Sequence, residues 1–162
     1  MIITAMLPGH AEEVLEIYRQ GIATGMATFE TETPSWEKFS AKHLDVCRLV
    51  SIENNMVTGW ATLSPVSQRE CYKGVAEVSV YVHDEHHGKG IGKALLEALI
   101  AESEQHGIWS LLSVIHEENK ASIQLHYNCG FRMIGYRERI AQLHGKWITT
   151  VMMERRSSVT GN

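Results

Sequence analysis

The sequence has no run of five like charges, no apolar stretch long enough to span a membrane, and only three prolines in 162 residues. A membrane helix needs about 20 apolar residues, and no basic leader region opens the chain. The three cysteines, Cys47, Cys71 and Cys129, are odd in number and lack CxxC spacing. This fits neither a disulfide framework nor a zinc knuckle and favours a reducing compartment. We therefore expect a cytoplasmic protein that does not interact with membranes.

Composition narrows the class of protein further. Lys and Arg number 15 against 19 Asp and Glu, a net charge of −4, so the basic surface of a nucleic-acid binder is missing. A hydrophobic content of 44% and a charged content of 21% are ordinary for a globular chain. At about 100–200 residues per domain, we expect one domain over residues 1–154, followed by a polar tail, 155–162, that frays.

Apolar periodicity predicts the order strand, two helices, three strands, helix, strand, helix and two strands. The clearest strand, 75–83, alternates apolar and polar residues, and the clearest helix begins at Ile91 with apolar residues at i, i+4, i+7 and i+8. Asn54-Asn55 indicates a hairpin. Thr33 or Ser35 can cap the second helix, with Pro34 in its first turn. Hairpins combined with one strand–helix–strand crossover predict a mixed sheet and the α+β class.

A glycine-rich turn, His87-Gly88-Lys89-Gly90-Ile91-Gly92-Lys93, lies between that strand and that helix. It lacks the GxxxxGK[ST] spacing of a P-loop, and neither register of a GxGxxG dinucleotide motif fits. The amides of residues 88–93, at a positive helix end, can instead bind a pyrophosphate without a metal.

Two segments resemble the acetyl-CoA-binding motifs of the GNAT acetyltransferase superfamily. The turn resembles its pyrophosphate loop, Gln/Arg-x-x-Gly-x-Gly/Ala, with His87 in the place of Gln or Arg. Asn119-x2-Ser122-x2-Leu125-His126-x3-Gly130-Phe131 resembles its second cofactor segment. The resemblance implies a GNAT-like mixed sheet of about seven strands with helices on both faces, and acetyl-CoA as co-substrate.

Further segments resemble the phosphinothricin and methionine sulfone or sulfoximine N-acetyltransferase branch. They are residues 27–32, 76–82 and 144–147, together with His126. Most of the superfamily has Tyr at the position of His126. The segment 69–74 departs from the branch at Cys71 and Lys73. The branch implies a small amino-acid-like acceptor and a homodimer.

Acetyl transfer to an amine needs a base, a polarised thioester carbonyl and an acid for the leaving thiolate. Glu77, on the strand that leads into the turn, is the expected base, and His126 or the adjacent Tyr127 is the expected acid. The resemblance implies a set of cofactor-binding residues: Val80, Tyr81, Val82, Gly88, Lys89, Gly90, Ile91, Gly92, Lys93, Asn119 and Asn128. Arg69 is expected to hold the acceptor carboxylate. The substrate-binding set is Phe29, Glu30, Ser67, Gln68, Arg69, Tyr72, Val78 and Ser79.

Three alternatives stay open. The run His83–His87 could hold a metal, although a local run rarely completes a coordination sphere, and we expect no metal. The acceptor could be a protein N-terminus or a lysine, or the protein could bind acetyl-CoA without turnover. Neither Cys71 nor Cys129 lies in a nucleophile motif, so we expect direct transfer in a ternary complex.

Overall fold

The computed structural model describes residues 1–162 and contains seven strands and four α-helices in the predicted order. They are β1 (Ile2–Ala5), α1 (Ala11–Ala23), α2 (Trp36–Lys42), β2 (Leu49–Glu53), β3 (Met56–Pro65), β4 (Val75–Val82), α3 (Ile91–Gln105), β5 (Ser110–His116), α4 (Lys120–Asn128), β6 (Arg132–Leu143) and β7 (Lys146–Arg156). None of the helices combines the length and apolarity needed to cross a bilayer.

The seven strands form one mixed sheet in the order β1-β2-β3-β4-β5-β7-β6. Neighbouring strands are antiparallel except β4 and β5, which run parallel and are joined by the α3 crossover. This confirms the predicted α+β class. The β4–β5 pairing covers only residues 75–77 against 110–112, and beyond it the strands separate.

Helices cover both faces of the sheet, as the resemblance implied. On one face, Ile17 of α1 and Phe39 of α2 pack against Trp60 of β3 in one buried cluster. On the other face, Leu95 and Leu99 of α3 belong to a larger buried cluster. The α4 helix contacts both α3 and β5.

Local chemistry explains several element boundaries. The Ser35 side chain accepts a hydrogen bond from the Lys38 amide at 3.3 Å, which confirms Ser35 as the cap of α2. Pro34 precedes the cap, so its predicted place in the first helical turn is wrong. Asn54 and Asn55 adopt φ of 51° and 62°, as a tight hairpin requires.

The predicted boundary at residue 154 falls inside β7, and the polar tail that follows it is attached to the rest of the fold at several points. Strand β7 runs to Arg156, past the predicted boundary. Ser157 is buried, and its Oγ and the guanidinium of Arg155 each lie 2.9 Å from Glu104 Oε1 on α3. The backbone oxygens of Thr160 and Gly161 accept hydrogen bonds from Arg156. These contacts attach the tail to the crossover helix and to the sheet.

Candidate active site

The gap between β4 and β5 leaves strand backbone without a strand partner. The His83 amide donates to the Thr58 carbonyl on β3 at 2.9 Å. Because strand backbone groups alternate in direction, those of Val80 and Val82 face the gap instead. His87 Nε2 donates to the Val82 carbonyl at 2.9 Å, so the loop histidine occupies one of these groups. The backbone groups of Val80 remain directed at the gap.

An outer cavity of about 490 Å³ lies beside this gap. Its lining combines the glycine-rich turn with one face of α4. The lining residues are Val80, Val82, His86, His87, Gly88, Gly90, Ile91, Gly92, Lys93, Asn119, Ala121, Ser122, Gln124, Leu125 and Asn128. Of the expected cofactor-binding residues, only Tyr81 and Lys89 do not line it.

The backbone N–H groups of residues 87–93 donate to no acceptor in the chain, and the first amide that does is that of Ala94. Gly88 and Gly90 adopt φ of +76° and +79°, which side-chain-bearing residues rarely do, and a Cβ on either would point into open space. These amides lie at the positive N-terminal end of α3. The arrangement fits the diphosphate of coenzyme A.

An inner cavity of about 250 Å³ lies at the same gap and extends to the side of the sheet covered by α1 and α2. Its walls come from β4, β5 and β7, from the loop after α1, and from side chains of α1, α2 and α4. The lining residues are Tyr18, Met26, Ala27, Thr28, Phe29, Lys42, Glu77, Val78, Ser79, Val80, Tyr81, Ser113, Val114, Ile115, His116, Asn119, Ser122, His126 and Thr150. Val80, Asn119 and Ser122 line both cavities, which therefore meet at the β4–β5 gap.

Asn119 builds this junction. Its side-chain oxygen caps α4 by accepting from the Ser122 amide at 3.2 Å, and its Nδ2 donates to the Met26 carbonyl at 3.3 Å. One side chain thus begins the helix and holds the loop that closes the inner cavity.

Glu77 faces the inner cavity and is only partly exposed. Burial raises the pKa of its carboxyl, while the charges of Lys42 and Arg137 oppose that increase. A carboxylate that is partly desolvated and has a raised pKa is a better proton acceptor than an exposed one.

His126 and Tyr127 lie in different surroundings. His126 is 3% exposed and lines the inner cavity, whereas Tyr127 is 46% exposed and lines neither cavity. His126 Nδ1 donates to the Ser122 carbonyl at 2.7 Å, and its Nε2 lies 3.0 Å from Ser113 Oγ. Burial lowers the pKa of His126.

The expected substrate-binding residues separate into two groups. Phe29, Val78 and Ser79 line the inner cavity. Glu30 is exposed outside it, 3.7 Å from Lys42 Nζ. The remaining residues lie in or beside the short helical turn between β3 and β4 and line neither cavity; they are Ser67, Gln68, Arg69 and Tyr72. There the Arg69 guanidinium lies 5.6 Å from the centre of the Tyr72 ring.

Tyr81 is structural as well as cavity-lining. Its ring stacks on Trp60 with centroids 4.7 Å apart, and its hydroxyl donates to the Ala27 carbonyl at 3.2 Å. Sequence reasoning missed Lys42, His116 and Thr150. The signal available for His116 was a histidine directly after the predicted strand 109–115.

Two groups of potential metal ligands lie outside the inner cavity. Within the His83–His87 run, His87 bonds to Val82 and His83 Nδ1 accepts from the Glu85 amide. A separate group, Cys47, Glu102 and His106, has ligand atoms within 4.8 Å of one another but lines neither cavity. Burial raises the pKa of Cys47 to about 12, which keeps its thiol protonated.

Comparison with known proteins agrees with this geometry. The acetyltransferase (GNAT) family model matches residues 12–131. The L-methionine sulfoximine/L-methionine sulfone acetyltransferase of Pseudomonas aeruginosa is 31% identical over 157 residues, covering 93% of this chain and 88% of that protein. The phosphinothricin N-acetyltransferase of Alcaligenes faecalis is 33% identical over 149 residues, covering 88% of this chain and 75% of that protein.

A crystal structure of a GNAT superfamily phosphinothricin acetyltransferase from Sinorhizobium meliloti, in complex with acetyl-CoA, matches with a TM-score of 0.90 at 28% identity. The match covers 99% of this chain and 90% of that one. The chain belongs to the acetyltransferase (GNAT) family. It is an acetyl-CoA-dependent N-acetyltransferase.

Proposed function

We propose that this protein transfers the acetyl group of acetyl-CoA to the α-amino group of a small amino-acid-like acceptor of the methionine sulfone, methionine sulfoximine or phosphinothricin type. The observation that carries the proposal is the meeting of the two cavities at Val80, Asn119 and Ser122, with Glu77 in the inner one. Donor and acceptor can then occupy separate cavities and meet at the gap. Such an arrangement favours direct transfer in a ternary complex.

The unpaired amides of residues 87–93 support diphosphate binding at the outer cavity. The resemblance adds Lys89 and Lys93 as cationic contacts and Asn128 on α4. The Val80 backbone supports binding of the pantetheine arm, because an extended ligand in the gap can replace the missing strand partner. An amide directed at the gap can also stabilise negative charge on the thioester oxygen during attack.

Glu77 is the proposed base. An α-amino group has a pKa of about 7.7–8.0, so much of the acceptor is protonated at neutral pH and must lose a proton before attack. Glu77 accepts this proton directly or through water. The amine nitrogen then bonds to the acetyl carbon, the carbon–sulfur bond breaks, and the coenzyme leaves as a thiolate.

His126 and Tyr127 are the proposed acids for that thiolate. Placement in the inner cavity favours His126. The hydrogen bond from its Nδ1 to the Ser122 carbonyl fixes the ring, and Nε2 lies beside Ser113 Oγ. Because the neutral ring has no proton on Nε2, that atom first takes up the second proton lost by the acceptor amine and then donates it to the thiolate. Tyr127 reaches solvent rather than either cavity.

A small, loop-covered inner cavity supports an amino-acid acceptor better than a polypeptide. Phe29 and Ser79 form part of its wall. Arg69 and its neighbours enter the proposal from the resemblance alone, as a carboxylate site beside the β3–β4 turn.

We also propose a cytoplasmic homodimer. Strand β6 is a sheet edge whose Ile134, Tyr136 and Ile140 are 40%, 63% and 49% exposed. These exposed apolar side chains on an edge strand supply a surface that a second copy can cover.

The function is tested by thiol release from acetyl-CoA with methionine sulfone, methionine sulfoximine, phosphinothricin and N-terminal peptides as acceptors. We expect turnover with the amino acids, a fall in kcat of about 10²–10⁴-fold in Glu77→Gln, and unchanged coenzyme A binding. Glu12→Gln, an exposed carboxylate on α1, is the matched control. Turnover with peptides alone would establish protein acetylation instead, and binding without any turnover would establish a non-catalytic module.

A further inference from the structure

Two buried polar atoms in the inner cavity have no hydrogen-bond partner in the chain. They are Nε2 of His116, which is 5% exposed, and Oγ1 of Thr150, which is 1% exposed. Burying an unpaired polar atom costs folding free energy. Because native proteins satisfy nearly all such atoms, two of them in one ligand-sized cavity need an explanation.

The two residues are direct neighbours. His116 ends β5 and pairs with Thr150 on β7 in the antiparallel register, so their side chains project on the same side of the sheet. This is the side of the inner cavity, which both residues line together with Glu77 and Ser79. The Phe29 ring lies 4.7 Å from the His116 ring and holds it from the loop side.

We propose that His116 and Thr150 form a specificity site that hydrogen bonds to the uncharged polar end of the acceptor's side chain. This inference rests on the proposed function, because it assigns part of the inner cavity to the acceptor. Sulfone, sulfoximine, carboxamide and hydroxyl groups belong to the class that would bind.

The charge of the site selects this class. Thr150 is neutral, and burial lowers the pKa of His116, so the imidazole is also neutral at neutral pH. A charged side-chain end gains no counter-ion from this pair, so we expect phosphinothricin, whose phosphinate is anionic, to be the poorest of the three acceptors. An apolar end would leave both protein atoms unpaired. The ring donates to the Gly25 backbone carbonyl, so Nε2 of the neutral imidazole needs a donor, whereas the Thr150 hydroxyl can donate or accept. A sulfoximine N–H, a carboxamide or a hydroxyl can satisfy both atoms, and a sulfone oxygen can satisfy Thr150.

The test compares methionine sulfone with methionine, which has the same backbone and lacks the two sulfone oxygens. Thr150→Val removes the hydroxyl at nearly constant volume. We expect kcat/KM for methionine sulfone to fall by about fivefold to tenfold, the loss typical of one neutral hydrogen bond. The value for methionine should stay the same or rise. His116→Phe, which keeps an aromatic ring beside Phe29, should selectively reduce kcat/KM for methionine sulfoximine, whose N–H can donate to Nε2, relative to methionine.

Thr62→Val is the matched control, because Thr62 Oγ1 is also buried without a partner but lines neither cavity. It should leave both acceptors unaffected. Thermal unfolding should show Thr150→Val to be at least as stable as the parent, since a buried unpaired hydroxyl is lost. Calorimetric titration of methionine sulfone into protein saturated with coenzyme A should show the same selective weakening in Thr150→Val.

The outcomes separate the two proposals. Suppose that the parent protein acetylates amino acids. If Thr150→Val then affects both acceptors equally, or affects neither, the specificity site is overturned and the proposed function is not. Absence of parental turnover with every amino acid would overturn the proposed function, and the specificity site with it.

Discussion

The imidazole of His126 is held between two serines, with Nδ1 2.7 Å from the Ser122 carbonyl oxygen and Nε2 3.0 Å from Ser113 Oγ. A carbonyl can only accept, so Nδ1 carries the proton. In the neutral ring Nε2 then accepts from the Ser113 hydroxyl. Burial favours this neutral form by lowering the pKa of His126.

Ser113→Ala should destabilise the protein, because it leaves Nε2 of a buried ring without a donor. We expect a loss of about 1–3 kcal/mol in the free energy of unfolding, measured by denaturant titration. Ser122→Ala is the control, since its backbone carbonyl still accepts from Nδ1. Equal stability of the two variants would contradict this account of His126.

Acid should destabilise the fold partly through His43. Burial lowers its pKa to about 4 from an unfolded value near 6.5. As the pH falls through 6.5 the unfolded chain takes up a proton that the folded ring does not, so unfolding becomes more favourable until the pH is below 4. The limiting loss is up to about 3 kcal/mol.

The measurement is the free energy of unfolding from pH 7 to pH 4 for the parent, His43→Phe and, as control, His106→Gln on an exposed histidine. The parent and the control should lose more stability than His43→Phe. Parallel curves for all three proteins would refute the role of His43.

Lys42→Met should move the acid side of the rate profile to higher pH. The Lys42 charge partly offsets the raised pKa of Glu77, so its removal raises that pKa further. Since the base must be ionised to accept a proton, more alkaline conditions are then needed for the same rate. The measurement is kcat against pH, with Lys38→Met on the outer face of α2 as control. An unshifted profile would show that Glu77 is not the titrating base.

Gly90→Ala should weaken coenzyme A binding beyond its effect on stability. A Cβ there meets no atom of the chain, so the folding cost is the positive φ of +79°, about 1–2 kcal/mol. Gly107 after α3 has φ +74°, equally open surroundings and no place in either cavity. Both variants should melt at lower temperature, but calorimetry should show weaker coenzyme A binding only in Gly90→Ala. If Gly90→Ala and Gly107→Ala bound coenzyme A equally well, the turn would have no role in diphosphate binding.

Local patterns in the sequence were sufficient to predict most of the fold. Alternation predicted β4, the apolar positions after Ile91 predicted α3, and Asn54-Asn55 predicted the hairpin, because each depends on residues close together in the chain. The attachment of the tail was not predictable in this way. Its attachment depends on Glu104, some 50 positions earlier, which accepts from Arg155 and Ser157.

The same distinction between local and long-range features applies to the site residues. The glycine-rich turn could be found because seven consecutive residues build it, and Glu77 and His126 are carried by recognisable segments. His116 and Thr150 meet only when β5 pairs with β7, and Lys42 reaches the cavity from another helix. The local sequence around these three residues does not indicate that they line the same cavity.

The gap between β4 and β5 divides the site into a coenzyme side and an acceptor side, which recognise their ligands in different ways. On the proposed coenzyme side, the strand and the turn offer mainly main-chain atoms, which most substitutions along the strand leave in place. On the acceptor side the walls are side chains contributed by strands, a helix and a loop. Descendants of such a chain can therefore change the amine they modify one residue at a time while continuing to use the same acetyl donor.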